Sequence, residues 1–321
     1  MKSGLLKKFL PFLVLIALFT TLAIISPVFL TGQNLSSVVR QTAVINIMAL
    51  GMTMVIIAGG IDLSVGSILA FAGVAGTMAL AQGQPILVGI VVGILAGALC
   101  GFLNGLLTTT LKVNPFIVTL GALLIVRGVT LIVANGMPIH QVPKNFSFLA
   151  EGVLFGSPRA DGSAEGGVPF LLLVLLLCAV LVHVLLEHTK LGRYGFAIGS
   201  NPDAAYYAGI GVGFHTMAIY AICGGLTGLA GMIEASRLMT GQPTAGQGYE
   251  LSAIAAVVIG GGSLRGGEGG VVGTLIGAFI MGLLANGCDL LGIQPFVQQA
   301  IIGAVIIAAV SVDEFRKRNI S

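Results

Sequence analysis

The stretch 86–109 reads ILVGIVVGILAGALCGFLNGLLTT and contains no charged residue. A helix needs about 20 consecutive apolar residues to cross the hydrocarbon core of a bilayer, and this run is long enough. Within it, Gly93, Gly97, Gly101 and Gly105 recur with a spacing that places them on one helical face. Small residues on one face allow a neighbouring helix to approach closely in lipid. The stretch therefore predicts a transmembrane helix that packs tightly in a bundle.

The composition extends this prediction to the whole chain. Hydrophobic residues make up 56% of the 321 residues and charged residues only 8%, whereas an ordinary soluble domain is about 25% charged. Glycine contributes 48 residues, which suits close helix packing in a membrane. The net charge of +3 gives no reason to expect a nucleic-acid partner. We predict an all-α, polytopic membrane helix bundle that forms one domain, 1–321, within the lipid bilayer.

Hydropathy predicts ten spans. The first is read as a retained span because no small-residue cleavage site follows it. The eighth is short for a full crossing, so a broken or re-entrant element is expected there. An apolar run followed by a glycine-rich break recurs at 56–67 and 257–267, an echo too weak to establish a repeat. The predicted spans are 9–25, 43–58, 65–81, 86–109, 115–134, 169–186, 212–232, 251–261, 271–285 and 293–312.

Lysine and arginine predict the orientation. With the N-terminus inside, the cytoplasmic side holds ten of these residues and the outer side four, in line with the positive-inside rule. An odd number of spans would move the basic C-terminus outside, so both termini are predicted to be cytoplasmic. Residues 135–168 then form an external loop. The cytoplasmic residues are Lys2, Lys7, Lys8, Lys112, Lys190, Arg193, Arg265, Arg316, Lys317 and Arg318; the outer ones are Arg40, Lys144, Arg159 and Arg237.

The cytoplasmic loop 191–213 is predicted to contain one stand-alone helix. Asn201 is a good N-cap and Pro202 suits the first helical position. Asp203 falls in the first turn, where the helix dipole favours an anion, and Gly209 suits the end of the helix. A capped helix in the loop of a membrane protein indicates a docking site. The alternative is a helix that lies idle at the membrane interface.

Few ionisable residues fall within or beside the spans. Asp62 is expected to cap the third span, and Glu234 and Arg237 lie three residues apart at the outer end of the seventh, within reach of each other. Arg127 is the one deep charge, for which a structural pairing and a position lining a pathway both remain open. A path with so little fixed charge suits a neutral, hydroxyl-rich solute better than an ion.

Catalytic motifs are missing from the sequence. It has no Gly-Lys dipeptide, so a phosphate-binding loop is excluded and the chain is not expected to hydrolyse ATP by itself. Neither H-E-x-x-H nor G-x-S-x-G occurs. The four cysteines lack the spacing of metal ligands. No catalytic residue and no metal site are predicted.

Several short stretches follow one another in a distinctive order. They are GMT at 51–53, GGIDLSVGS at 59–67, PFI at 115–117, RG at 127–128, LGRY at 191–194, GSN at 199–201, QPTAG at 242–246, YEL at 249–251 and AIAAVV at 253–258. Together they resemble the permease subunits of bacterial carbohydrate ABC importers, in the branch that handles ribose and related sugars. The likeness runs in the same order from about residue 29 to residue 312. One departure is Ser200, where many members have a second glycine before the asparagine.

The resemblance implies an assembly in the bacterial inner membrane. Two copies of the chain would form a homodimer, cytoplasmic ATPase subunits would bind ATP and Mg, and an extracytoplasmic sugar-binding protein would deliver the substrate. The helix at 201–209 would be the coupling helix that contacts the ATPase. Its residues are Asn201, Pro202, Asp203, Ala204, Ala205 and Gly209; the candidates for pathway or structural roles are Asp62, Ser64, Arg127 and Gln242; those for binding-protein docking are Arg40, Glu234 and Arg237.

The expected function is that of the transport-pathway subunit in an ATP-driven sugar importer. Ribose is the first choice of sugar, followed by xylose, arabinose, galactose and furanose signalling molecules. The sequence leaves open whether the ATPase partner is one fused chain or two. A secondary transporter is disfavoured because no acidic relay lies at mid-membrane. An integral-membrane enzyme is disfavoured because no nucleophile–base or metal constellation is present.

Overall fold

The computed structural model describes residues 2–158, 164–165 and 167–318. Arg159, assigned above to the outer side, lies outside these residues. The helices are α1 (Lys2–Ile25), α2 (Gly32–Ile57), α3 (Val65–Ala81), α4 (Ile86–Leu111), α5 (Pro115–Val133), a 3-10 turn (Lys144–Ser147), α6 (Phe148–Glu151), α7 (Phe170–His188), α8 (Lys190–Ser200), α9 (Pro202–Tyr207), α10 (Val212–Leu238), α11 (Tyr249–Ile259), α12 (Val271–Leu290) and α13 (Pro295–Arg318). The strands are β1 (Val153–Leu154), β2 (Ser157–Pro158), β3 (Ala164–Glu165) and β4 (Val168–Pro169).

Every predicted apolar segment forms a helix, so the helical class is confirmed. Within the described residues, six helices are long and apolar enough to cross a membrane, namely α2, α4, α5, α7, α10 and α12. Shorter apolar helical stretches lie in α1, α3, α11 and α13. The helix α2 begins at Gly32, well before the predicted start at residue 43, because Thr31 caps a polar first turn by accepting a hydrogen bond from the Asn34 amide.

The main core is formed by α2, α3, α4 and α10. The buried positions of α4 are five glycines and Asn104. The glycine face packs against α10 so closely that a β-carbon on Gly97 would lie 2.9 Å from the Cα of Gly228. Real β-carbons do not approach another backbone that closely, so only glycine fits this contact. The predicted close packing at this glycine stripe is confirmed.

A second glycine contact joins α12 to α11. Gly273 faces Gly260, and Gly277 faces the backbone of Ala256. Gly269 lies four residues before Gly273 but does not extend this contact, because α12 starts at Val271 and Gly269 lies in the preceding loop with φ of +153°. That backbone conformation favours glycine.

Polar pairs hold α12 against α2. The hydroxyls of Thr53 and Thr274 lie 2.6 Å apart in the core. Near the other end, the amide of Asn34 donates to Asn286 at 3.2 Å, and the amide of Asn286 donates back at 3.0 Å. Because a buried amide without a partner is costly, these reciprocal bonds set the position of α12 along α2.

Segments predicted to share the cytoplasmic side meet at one end of the bundle. The amide of Gly267, between α11 and α12, donates to the carbonyl of Ile57 at 2.9 Å. A β-carbon on Gly266 would lie 2.9 Å from the Cα atoms of both Gly59 and Gly199. The segments 56–67 and 257–267, which echo each other in sequence, are therefore in direct contact, and the end of α8 packs against both at Gly199.

Segments predicted to be external meet at the opposite end. The loop after α5 pairs with the chain after α10 through reciprocal backbone bonds between Ile139 and Gly241, each 3.0 Å long. The hydroxyl of Ser236 donates a hydrogen bond to the backbone carbonyl of the buried Phe146 at 2.7 Å. Two short antiparallel pairs, β1 with β4 and β2 with β3, complete the loop, which folds back onto α10 and α7.

Candidate functional site

The loop 191–213, which is predicted to be cytoplasmic, contains two helices, whereas the sequence predicts one. The first, α8, covers Lys190–Ser200, and the second, α9, covers Pro202–Tyr207. The prediction is wrong for α8 because Gly192, Gly195 and Gly199 lower its intrinsic helix propensity. In the structure Gly192 packs on the Leu186 backbone and Gly199 on the end of α2. Tertiary contacts that accept only glycine therefore stabilise a helix that local propensity disfavours.

The predicted capping of α9 is confirmed. The side chain of Asn201 accepts a hydrogen bond from the Ala204 amide at 2.9 Å, and Pro202 and Asp203 occupy the first turn. At the other end, Gly209 has φ of +82°, and its amide donates to the Tyr206 carbonyl at 2.9 Å. The caps satisfy polar backbone groups that a helix this short would otherwise leave open.

The exposed face of α9 is aromatic. Tyr206 and Tyr207 are 68% and 86% exposed, and their ring centroids lie 5.8 Å apart. Ala204 is also exposed, but Ala205 is only 4% exposed and packs inward. The contact role of Ala205 stays a prediction, while its methyl group faces the bundle in the single chain. The two tyrosines were not among the predicted contact residues, although aromatic residues are enriched at interfaces.

A buried polar network precedes α3. One carboxylate oxygen of Asp62 accepts hydrogen bonds from the amide of Ser64 at 2.9 Å and from its hydroxyl at 2.6 Å. The amide of Asn104 donates to the Ser64 hydroxyl at 2.8 Å and to Asp62 at 3.4 Å. Asp62 and Ser64 are both fully buried. Of the two roles predicted for them, the structural one fits, because a buried group does not line an open path.

The same turn is held from two further helices. The hydroxyl of Thr119 donates to the carbonyl of Ile61 at 3.1 Å, and that of Tyr220 donates to it at 3.4 Å. Asp62 bonds Ser64, the residue just before α3, instead of a helical amide, so it shapes the turn rather than capping the helix. The sequence does not predict that three further side chains take part in this network, because each is an isolated polar residue in an apolar span. They are Asn104, Thr119 and Tyr220.

Arg127 holds the segment between α10 and α11. Its Nη1 donates to the carbonyls of Pro243 at 2.7 Å and Ala245 at 2.9 Å, and its Nη2 donates to Gly66 at 3.2 Å. All three acceptors are neutral backbone carbonyls, and the carboxylate of Glu250 lies beside one of them, at Gly66. On the same segment the amide of Gln242 donates to the Thr244 hydroxyl at 3.0 Å. Arg127 and Gln242 therefore belong to one region, separate from the Asp62 network.

The predicted pair at the end of α10 is confirmed. The Nη2 of Arg237 lies 2.8 Å from Glu234, with side chains 29% and 6% exposed respectively. The hydroxyl of Tyr249 also reaches Glu234, at 3.5 Å. The docking role of Glu234 stays a prediction, and its carboxylate is buried beside Arg237. Arg40 is half-buried, and its Nη2 donates to the backbone of Glu151 at 3.3 Å.

These features define a bundle with several helices long and apolar enough to cross a membrane and with a short capped helix, α9, in a loop. The chain belongs to the family described as branched-chain amino acid transport system / permease component, whose model matches residues 34–310. It is thus the permease component of a transport system.

Named relatives cover nearly the whole chain. It is 43% identical over 307 residues to the ribose import permease protein of Escherichia coli strain K12, spanning 96% of this chain and 92% of that protein. It is 44% identical over 317 residues to the ribose import permease protein of Bacillus subtilis strain 168, spanning 99% and 95% respectively. It is 35% identical over 301 residues to the L-arabinose transport system permease protein of E. coli strain K12, spanning 94% and 88%. No solved structure matches the chain.

Proposed function

We propose that this chain is the transmembrane subunit of an ATP-driven sugar importer in the bacterial inner membrane, and that its sugar is D-ribose. The observation that carries the proposal is identity of 43% and 44% to two ribose import permeases over at least 92% of either chain. Identity to the D-allose and L-arabinose permeases is lower, at 35%. A neutral solute also agrees with the scarcity of fixed charge in the spans.

The proposed topology has ten crossings and cytoplasmic termini. The crossing helices are α1 to α5, α7 and α10 to α13, and the shortest of them, α11, has 11 residues. Support comes from the contacts at the two ends of the bundle, where segments predicted to share a side meet one another. The excess of lysine and arginine on one side supports the same orientation.

We assign α9 as the surface that docks on a cytoplasmic ATPase. Tyr206 and Tyr207 form an exposed aromatic contact surface, and aromatic side chains contribute a large share of binding energy at protein interfaces. Two copies of the chain would assemble with two ATP-binding sites, which would hold ATP and Mg. The chain itself would contribute no group to hydrolysis.

Motion of α9 would reach the spans through α8. Asn201 closes α8 and at the same time caps α9, so the two helices share one residue and form a fixed corner. Gly199, in the last turn of α8, packs against Ile57 at the end of α2 and against Gly267 before α12. Displacing the corner would therefore push on α2 and α12 together, and these helices would alternate between inward and outward access.

A sugar-binding protein would dock at the opposite end. Arg237 and Arg40 present cationic groups there, both partly exposed. Acidic residues on the binding protein would pair with them, and such rim charges mainly steer association and orientation. Affinity for the sugar would then reside largely in the binding protein.

Purification from native membranes in mild detergent, followed by reconstitution, tests the function. We expect an ATPase to co-purify, and we expect ATP-dependent uptake of labelled D-ribose into liposomes once a sugar-binding protein is present. Uptake of L-arabinose at a higher rate than D-ribose would contradict the choice of sugar. Uptake by the isolated chain without ATP would contradict the importer and establish a facilitator.

A further inference from the structure

One crossing of the membrane is helical over only half of its length. After α10 the chain pairs with the external loop at Gly241, and α11 does not begin until Tyr249. The 11 residues of α11 span about 16 Å, whereas the hydrocarbon core is about 30 Å thick. The chain then reaches the cytoplasmic end, where Gly267 bonds Ile57. The remaining length is crossed by non-helical residues, 242–248 before α11 and 260–266 after it.

Arg127 marks the depth of this segment. Its guanidinium bonds the carbonyls of Pro243 and Ala245, and Arg127 itself lies in α5, which ends at Val133. Six residues of helix correspond to about 9 Å. The backbone at 243–245 is therefore well inside the membrane, below the outer end of α5.

The side chains of this segment are polar and exposed at that depth. Thr244, Gln247 and Gly248 are exposed, and Gln242 and Glu250 are half-exposed. Non-helical backbone within a membrane is tolerated where it is buried in protein or lines a water-filled cavity, and never where it faces lipid. These amide and hydroxyl groups are exposed in the single chain and do not suit lipid, so a water-filled cavity fits them better than the hydrocarbon core does.

The group of side chains matches the chemistry of a polyol. Within the described chain, three of the five N–H donors of Arg127 bind backbone carbonyls. The amide of Gln247 supplies two donors and an acceptor, and the Thr244 hydroxyl supplies one of each. The carboxylate of Glu250 lies beside Gly66, whose carbonyl accepts a hydrogen bond from Arg127, so the segment carries one group of each charge. A neutral solute with several hydroxyl groups suits such a surface better than an ion does.

We propose that residues 242–250 and Arg127 line the translocation pathway and bind the hydroxyl groups of the sugar in transit, with Gln247 and Thr244 as direct contacts. This assignment rests on the proposed function, since it identifies where the imported sugar touches the chain. Breaks in membrane helices place such sites near the middle of the bilayer in other transporters.

Thiol labelling tests the water-filled pathway without any sugar. In the assembled complex, Gln247→Cys is expected to react with a membrane-impermeant thiol reagent that is present on both sides of the proteoliposome membrane. Leu177→Cys is the matched control, because Leu177 is 65% exposed on the apolar face of α7 and should not react. The native cysteines provide the background, since Cys178, Cys223 and Cys288 are buried and Cys100 is partly buried. Failure of Gln247→Cys to react with or without ATP would overturn the pathway assignment.

Uptake kinetics test the sugar contact. Gln247→Leu should lower the maximal rate of D-ribose uptake about fivefold, the effect of one ordinary hydrogen bond. The concentration of sugar-loaded binding protein that gives half-maximal uptake should stay unchanged, because that protein docks outside. Gln84→Leu, an exposed glutamine between α3 and α4, should import at the unaltered rate. Wild-type uptake by Gln247→Leu would overturn the contact. Lack of ATP-dependent uptake by the unaltered complex would instead contradict the proposed function, and the labelling would still decide the pathway.

Discussion

Gly199 of α8 lies directly against the carbonyl oxygen of Ile57, the last residue of α2, with no space for a β-carbon between them. The same carbonyl accepts a hydrogen bond from Gly267 at 2.9 Å. A β-carbon on Gly199 would also lie 2.7 Å from that amide nitrogen. Glycine inside a helix costs about 0.5–1 kcal/mol relative to alanine, so the contact is maintained against helix propensity. It joins α8 to the end of α2 and to the loop before α12 at one point.

Replacing Gly199 with alanine should uncouple transport from hydrolysis. The added methyl group would push α8 away from α2 and break the bond between Gly267 and Ile57. We expect D-ribose uptake to fall at least about tenfold, a change of about 1.4 kcal/mol in coupling, while the ATPase still co-purifies and hydrolyses ATP. Uptake and hydrolysis measured on the same proteoliposomes provide the check.

The control lies one turn away on the same helix. A β-carbon on Gly195 would meet only the flexible Cδ1 of Ile219, at 3.3 Å. Gly195→Ala should therefore couple normally and gain a little stability. Equal uptake by the two alanine variants would show that the contact of Gly199 with Ile57 does not transmit motion.

Tyr207→Glu should release the ATPase without disturbing the fold. Tyr207 is the more exposed of the two aromatic residues on α9, so its loss removes contact area but leaves no cavity. We expect the ATPase to be lost on co-purification while the thermal unfolding temperature in detergent stays the same. Tyr207→Phe should retain the partner. An ATPase that still binds Tyr207→Glu with full affinity would exclude α9 as its docking surface.

Ala205→Glu should act differently from Tyr207→Glu. Ala205 is 4% exposed and packs inward, so a glutamate there would bury a charge without a partner. We expect a lower unfolding temperature and reduced yield in addition to loss of the ATPase. Ala204→Glu, at the neighbouring exposed position, should lower ATPase binding alone. Equal unfolding temperatures for the two variants would contradict the observed orientation of α9.

The pair of Glu234 and Arg237 allows docking to be separated from stability. Arg237→Gln leaves the buried carboxylate of Glu234 without its charged partner and should cost roughly 2 kcal/mol of unfolding free energy. The double variant Glu234→Gln/Arg237→Gln keeps a neutral hydrogen-bonded pair and should recover most of that loss. Both should weaken association with the binding protein, because both remove the cation. Unchanged association of the double variant in a reconstituted binding assay would remove Arg237 from the docking surface.

Asp62→Ala should destabilise the bundle. The substitution leaves the Ser64 amide without its acceptor and weakens the bonds of Asn104 in a buried site, at about 1–3 kcal/mol for each unsatisfied group. Asp62→Asn retains an acceptor oxygen and should lose less. Asp289→Ala, an exposed aspartate in the last turn of α12, should leave thermal unfolding in detergent unaffected. A loss of stability no greater than that of Asp289→Ala would exclude a structural role for the network.

Local pattern determined much of the fold. The apolar run and glycine stripe of α4 predict both its extent and its packing face, because a spacing of four residues keeps one helix face small. The bounds of α3 and the caps of α9 also follow from neighbouring residues, since a cap acts within one turn. The membrane class follows from composition alone. Each of these depends on interactions within a few residues, which the sequence displays directly.

Only the tertiary structure decided which distant groups meet. Three glycines lower the helix propensity of α8, so local sequence does not predict this helix. The contact of Gly199 with Ile57, which stabilises α8, joins residues far apart in sequence. Ala204 and Ala205 look alike in sequence, yet one is exposed and the other buried, because the side of α9 that faces the bundle depends on how α8 is docked. Asp62 and Arg127 are both deep charges, but one holds a turn and the other holds a non-helical crossing. Burial and long-range hydrogen bonds depend on the packing of whole helices, and that packing separates residues to which local sequence assigns the same role.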